Sequence, residues 1–415
     1  MSEFGSYSIL IAGSVIVILS YVFNIISRKT SLPSVLLLIG TGILINIFLK
    51  LFNLKSIDFM PLLEILGIIG LIMIVLEASL DLKLSKEKRR IIWSSFGIAF
   101  VSLLITTSVL SIILLIYLDT DLFHAVIYAL PLSIISSAIV IPSTSNLDKD
   151  KKEFMVYEST FSDILGIMFF YFLIQSANTS NFTQISINLI LNVLATVSIS
   201  FVVSYLLILV FQNIKTQVKL FLLISVLILL YSIAKLMHLS SLLIILVFGL
   251  MLENRHIFFA GSFKNLINEK SLQEISSNFR IITLESAFVV RTFFFVIFGI
   301  TITLSSLYNL QVLLVSLVIL LSIFIIRYLV FKIFRVKNFF PELFLAPRGL
   351  ITILLFYAIP PEIQDPNFDP GVLLFIIIAT SLAMTISLVR AKNRQKLNIS
   401  FPSPEKKSED THHHN

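Results

Sequence analysis

The chain has no cysteine, a single tryptophan and only 13% charged residues. The absence of cysteine excludes disulfide frameworks and thiolate metal sites. Scarce charge, set against 57% hydrophobic residues and a mean hydropathy of +0.98, excludes a water-soluble globule. A soluble fold of 415 residues could not hide that much apolar side chain, whereas hydrocarbon accepts it. The class expected is an all-α polytopic membrane protein whose first partner is the lipid bilayer. The net charge of +7 and pI near 9.4 do not call for nucleic acid, because the basic residues lie in short loops. The start, MSEFGSY, has no basic n-region, and no small-residue cleavage site comes after it. The first apolar segment is therefore expected to remain in the mature protein.

Apolar runs predict thirteen spans, at about 7–27, 33–52, 60–81, 91–118, 122–145, 152–177, 184–211, 217–236, 239–254, 281–304, 309–334, 341–360 and 370–391. The polar stretch 255–280 is expected as an interfacial helix. Residues 1–396 form the transmembrane domain and 397–415 a disordered cytoplasmic tail, whose three histidines read as a tail or tag remnant. Of 31 lysines and arginines, 25 fall in loops after odd-numbered spans or at the C-terminus. Three (Lys50, Lys55, Lys235) fall on the opposite side, and three (Arg291, Arg327, Arg348) inside spans. The positive-inside rule then places the N-terminus outside and the C-terminus in the cytoplasm, as expected for a plasma (inner) membrane protein.

Thirteen spans accommodate two inverted six-helix repeats joined by one linking helix, which makes span 5 correspond to span 12. Span 5 carries Pro131, Ser136–Ser137 and Pro142, and span 12 carries Pro347, Arg348 and Gly349. Paired broken crossover helices mark the midplane binding site of a secondary transporter. Two ordinary proline kinks would give the same pattern.

Span 6 contains YESTFSDILGI, residues 157–167. Ser159 and Asp163 are four apart and share a helix face, while Glu158 and Asp163 point roughly 140° apart. The two acids should therefore do different work. Asp163, with nearby hydroxyls and carbonyls freed by a broken helix, offers hard oxygen ligands to an alkali cation. A carboxylate withdrawn from water keeps its charge only if a proton or a cation neutralises it. Competition between the two couples their movements. The alternative for Asp163 is an ion pair with Arg291 or Arg348. Glu158 is expected to form a structural or gating ion pair with Arg291 or Arg348. Glu77 and Glu285 could line a cavity but are expected near the membrane–water interfaces, where the cost of charge falls, and Glu64 and Glu342 at solvated span ends.

These segments resemble the monovalent cation:proton antiporter superfamily over nearly all thirteen spans. ESTFSDILGI is similar to the E-S-x-x-N-D signature of the electroneutral sodium/proton exchanger branch. The resemblance implies Ser159 and Asp163 as ion ligands and Glu158 as a helix-positioning acid. SLPSVLLLIGTGILI, RTFFFVIFGITI and APRGLITI resemble three further segments of the family, and LSIISSAIVIP resembles the crossover helix of potassium-efflux relatives. The sequence departs twice: Ser162 stands where the signature has Asn, and Ser136, Ser137 and Ala138 replace T-D-P. The crossover therefore brings no second acid. The implied fold is a dimerising interface domain plus a six-helix core carrying spans 5, 6, 12 and 13, with a homodimer expected.

The expected activity is electroneutral exchange of one monovalent cation, sodium first, for one proton at Asp163, with Ser159, Ser162, Ser136 and Ser137 around it. One pH unit, about 1.4 kcal/mol, would sustain roughly a tenfold cation gradient. No cofactor is expected, since Na+, Li+ or K+ and H+ are substrates. The alternative on the same scaffold is K+/H+ exchange or a K+ efflux pathway. An intramembrane enzyme is not expected: only Asp163 lies deep in a span as an aspartate, and His124 and His238 lie near span ends.

Overall fold

A computed structural model of the chain describes residues 6–400, apart from 31, 53–59, 86, 145–146, 177–181, 215–218, 238–240, 260–266, 303–308 and 337. Every regular element among them is helical. In order they are α1 (Ser6–Thr30), α2 (Ser34–Leu51), α3 (Met60–Asp81), α4 (Arg89–Leu118), α5 (Leu122–Ser133), α6 (Ser137–Ser143), α7 (Lys149–Ser176) and α8 (Phe182–Phe211). Next come α9 (Lys219–Leu236), α10 (Ser241–Glu253), α11 (Arg255–Phe258), α12 (Glu269–Thr301), α13 (Leu310–Ile333), α14 (Leu350–Tyr357) and α15 (Gly371–Ser400). In hydrocarbon a chain must satisfy its own backbone polar groups, and a helix does so within one segment. Where polar residues return they cap. Asp121 accepts from His124 N at 3.3 Å to open α5, Asn268 from Ser271 N at 3.2 Å to open α12, and Asn309 from Gln311 N at 3.0 Å to open α13.

Among the described residues, eleven helical segments are long and apolar enough to cross a membrane. The segments expected as spans nine and twelve are shorter helices: α10, and a discontinuous stretch with a single 3-10 turn at Glu342–Phe344 before α14. The stretch 255–280 is not the separate interfacial helix expected. After the short α11, its helical part from Glu269 runs unbroken into the apolar segment as α12, because Glu269–Arg280 shares one helical register with the apolar half. At the other end α15 stays helical through Ser400, so the expected tail begins later than 397. Its remainder, 401–415 with the three histidines, lies outside the described residues, as does the Glu64 side chain.

The helices pack as two bodies. One contains α4, α5, α6, α7, α13, α14 and α15; the other contains α1, α2, α3, α8, α9, α10 and α12. Packing thus adds α4 and α13 to the spans expected as the core. Within the second body α2 and α12 touch backbone to backbone at Gly42 and Gly299. A Cβ on either residue would collide with the partner helix's main chain, at Val296 O or Ile39 O. The loop after α3 links the bodies. Asn254 takes its backbone into a buried cradle, donating to Leu82 O at 2.7 Å and accepting from Leu84 N at 2.6 Å. From the other body, Tyr157 donates to Lys83 O at 2.8 Å.

Candidate functional site

The site begins where two helices fail. Pro131 removes an amide from the α5 ladder, and Ile134–Ser136 is extended before α6 resumes at Ser137. In the other interrupted span Pro347 disfavours helix at Ala346, and Leu345–Gly349 is non-helical until α14 begins. Each break frees backbone groups among buried residues, and such groups must find partners. The breaks hydrogen-bond to one another, Ser136 N donating to Pro347 O at 2.9 Å. Their approach leaves no room for a side chain at Gly349, where a Cβ would lie 3.0 Å from Ser136 Oγ.

Span 6, as α7, satisfies the amides on one side. Ser162 Oγ accepts from Ile135 N at 2.9 Å, and Asp163 Oδ2 accepts from Ser137 N at 3.0 Å. Gly166, one turn on, lets the break lie against α7, since any Cβ there would collide with the Ile134 side chain. Arg348 satisfies the carbonyls at the end of α5, donating to Leu132 O at 2.8 Å and Ser133 O at 3.2 Å. It also donates to Ala346 O at 2.6 Å, and its own amide donates to Thr380 Oγ1 at 3.0 Å. Sequence reasoning missed Thr380, which nothing distinguishes from other hydroxyls in apolar helices.

Asp163 is 2% exposed, and its Oδ1 has no hydrogen-bond partner. Neither Arg291 nor Arg348 pairs with it. Two hydroxyls near it in sequence or across the break, Ser136 Oγ and Thr160 Oγ1, are likewise buried without partners. Thr160 was not foreseen. Ser159 is buried and donates to Met155 O at 2.8 Å, back into its own helix, which leaves its lone pairs as acceptors. Ser137 contributes its backbone amide.

Glu158 requires a correction. Its expected partners were Arg291 and Arg348, but it pairs with Arg327 of α13. Nη1 donates to Oε1 at 2.6 Å and Nη2 to Oε2 at 2.8 Å, with Glu158 0% and Arg327 3% exposed. This bidentate geometry satisfies both carboxylate oxygens. Arg327 also donates to Glu342 O from Nε at 3.2 Å and Nη2 at 3.1 Å. Glu342 is not at a solvated end either: it is buried and pairs with Lys151 at 2.8 Å. Lys151 further donates to Asn338 O at 2.9 Å and Phe340 O at 2.8 Å. Arg327 could have been suspected, as the only charge within LSIFIIRYLVF; choosing it over two other arginines needed the helix packing.

Arg291 pairs instead with Glu77, Nη1 to Oε2 at 3.0 Å. Both line a cavity of about 220 Å³ between the two bodies, so Glu77 follows the cavity alternative and not the membrane–water interface favoured for it. Ser20, Asn24 and Thr292 share its wall, and on the other body it reaches Ser137, Ala138 and Pro142. It lies toward the end of the bundle that carries Lys83, Arg89 and Lys151, and it touches the residue whose amide holds Asp163. Glu285 is exposed.

A family model described as sodium/hydrogen exchanger, transmembrane, matches residues 14–394. The chain belongs to the sodium/hydrogen exchanger family. This is a family of membrane transporters. The exchanger is similar in fold to the sodium proton antiporter MjNhaP1 from Methanocaldococcus jannaschii. For the structure at pH 8 the TM-score is 0.70 at 20% identity, covering 94% of this chain and 97% of that one. For an electron-microscopy structure of the same antiporter the TM-score is 0.67 at 19% identity, covering 97% and 100%. Comparison with curated protein sequences gives no match.

Proposed function

We propose that this exchanger moves one monovalent cation, Na+ first among candidates, against one proton at Asp163. The observation that carries the reading is the bare Oδ1 of a buried aspartate that, among the described residues, has no ion-pair partner. Oδ2 is held by an amide, so the carboxylate is oriented but not neutralised. A proton on Oδ1 or a cation bound to it removes the cost of the buried charge, and either excludes the other. Ser136 Oγ, Ser159 Oγ and the Ser162 hydroxyl are the neutral oxygens proposed to complete the cation's shell; the suggestion extends to Thr160, whose hydroxyl is free. Hard oxygen donors suit an alkali ion. The cavity supplies an approach from the basic end, which the charge bias makes the cytoplasmic one.

The crossover brings Ser136 and Ser137 where the resemblance expects an acid, so a single carboxylate titrates per cycle and exchange is electroneutral. Movement of the α4–α7, α13–α15 body against its partner would alternate access. The serine crossover favours a second reading, K+ in place of Na+. A homodimer in the plasma membrane is proposed from the family resemblance alone. In proteoliposomes, a series of Na+, Li+ and K+ over pH should give saturable cation-driven proton movement, unchanged when the membrane potential is clamped. Asp163→Asn should abolish it while leaving elution and melting intact. Retained exchange in that variant refutes the mechanism, and voltage-dependent exchange refutes the stoichiometry.

A further inference from the structure

The cavity opens the seam between the two bodies toward the basic end, and among the described residues the opposite end of that seam is closed by contacts of a different kind. There α7 presents Tyr171, one turn before its end, and α9 presents Lys235, next to its last residue. Lys235 Nζ sits 4.5 Å from the Tyr171 ring centroid, a cation–π contact between the bodies. The Tyr171 hydroxyl hydrogen-bonds that of Tyr231 on α9, which in turn bonds Ser241 on α10. Across the seam α14 makes a second closure. Leu354 presses on Gly67 of α3, where a Cβ would lie 2.8 Å from its Cδ2. Tyr357 meets Phe298 of α12 edge-on, centroids 6.4 Å apart, and its hydroxyl hydrogen-bonds Thr301. In each closure an aromatic ring of one body docks on the other and its hydroxyl is satisfied across the boundary. Lys235 is also one of only three basic residues on that side, so a cation–π contact occupies a charge that topology would otherwise disfavour there.

We infer that Tyr171 and Tyr357 are the latches that hold the far end of the transport path closed in this conformation. Rocking of one body against the other must break both sets before Asp163 can face that side. The inference rests on the alternating-access reading above. It assigns the two tyrosines a positioning role only: neither is among the oxygens proposed to hold the ion. The physical reason for tyrosine is that its ring seals apolar surface while its hydroxyl makes a weak, reversible bond. A net hydrogen bond is worth roughly fivefold in an equilibrium, enough to bias a two-state seam without locking it.

The absence of native cysteine permits a direct test. Leu284→Cys reports the cavity and Leu354→Cys reports the sealed seam, each in the full-length chain in proteoliposomes, with labelling by a membrane-impermeant maleimide. With the tyrosines intact, position 284 should react and position 354 should be protected. Tyr171→Phe combined with Tyr357→Phe should raise the rate at 354 by roughly 25-fold and lower that at 284, because two hydrogen bonds favouring this state, each worth roughly fivefold, are lost. Lys235→Gln should act in the same direction, more weakly. Unchanged labelling at 354, or a rise at both positions together, overturns the proposal; the second outcome marks general loosening. Labelling reads conformation whichever ion is moved, so its failure is distinct from failure of the Asp163 mechanism, which the flux assay reads.

Discussion

Glu158→Gln removes one charge from the pair that ties α7 to α13. The side chain keeps its size and one acceptor oxygen, but Arg327, 3% exposed, is left with a single neutral carbonyl from Glu342 and an amide oxygen. Breaking a buried pair from one side costs about 3–5 kcal/mol, because the surviving charge has no counter-ion. At roughly 2.1 cal/mol/K per residue, the 415 residues give an unfolding entropy of about 0.9 kcal/mol/K. The loss then lowers Tm by about 3–6 °C. That is a floor, since helices that persist in detergent contribute less entropy. Arg327→Met alone should cost a similar amount by stranding the glutamate. The double variant should recover most of the loss, because two matched neutral side chains remove the desolvation along with the attraction. The assay is thermal unfolding of the purified chain by intrinsic fluorescence, with all four members of the cycle measured at low and high salt. A pair this deep should show a coupling that salt barely changes. Additive losses in the double variant, or a Tm shift below about 1 °C for Glu158→Gln, would refute the assignment of this pair as the positioning charge of α7.

The same geometry has other testable consequences. Ser162→Ala strands the buried Ile135 amide, which should cost about 1–3 kcal/mol and weaken cation affinity, measured by Tm and by half-maximal cation in the exchange assay. Gly166→Ala drives a methyl into Ile134, so the break should be pushed off α7 and exchange lost at a stability cost of about 1–3 kcal/mol. Adding Ile134→Ala should restore both, and failure to do so would show that the fit matters less than argued. At the α5 cap, partial burial disfavours the Asp121 carboxylate, but hydrogen bonds from His124 outweigh it and hold its pKa below the ordinary aspartate value. The stability it lends is therefore present above the ordinary carboxylate range and lost as pH falls through the lowered value. The Tm difference between the parent and Asp121→Asn should be flat near neutrality and shrink in strong acid.

The class of the protein was legible because hydropathy accumulates along the chain: no packing decision can hide 57% hydrophobic residues from water. The breaks were legible for a similar reason. Pro131 and Pro347 act through their own covalent geometry, whatever surrounds them. Asp163 stood out because an acid in the middle of an apolar run is costly wherever the helix lies. Local pattern stopped short at the helix from Glu269, where a polar first half and an apolar second half share one unbroken register that composition divides in two.

What remained for the tertiary structure was partnership. Three arginines within spans are chemically equivalent in sequence, and only the packing of α13 against α4 and α15 brings Arg327, rather than Arg291 or Arg348, to Glu158. Arg291 then meets Glu77 in the cavity, and Arg348 meets carbonyls that exist as acceptors only because α5 ends at Ser133. Ion pairs and freed backbone groups are properties of distance between segments far apart in the chain, and hydropathy contains no distances. The sequence by itself determined that the chain is a multi-span membrane protein, where its helices fail and which aspartate lies deep in a span. The fold alone decided which charges answer one another, and where between the two bodies a cavity forms.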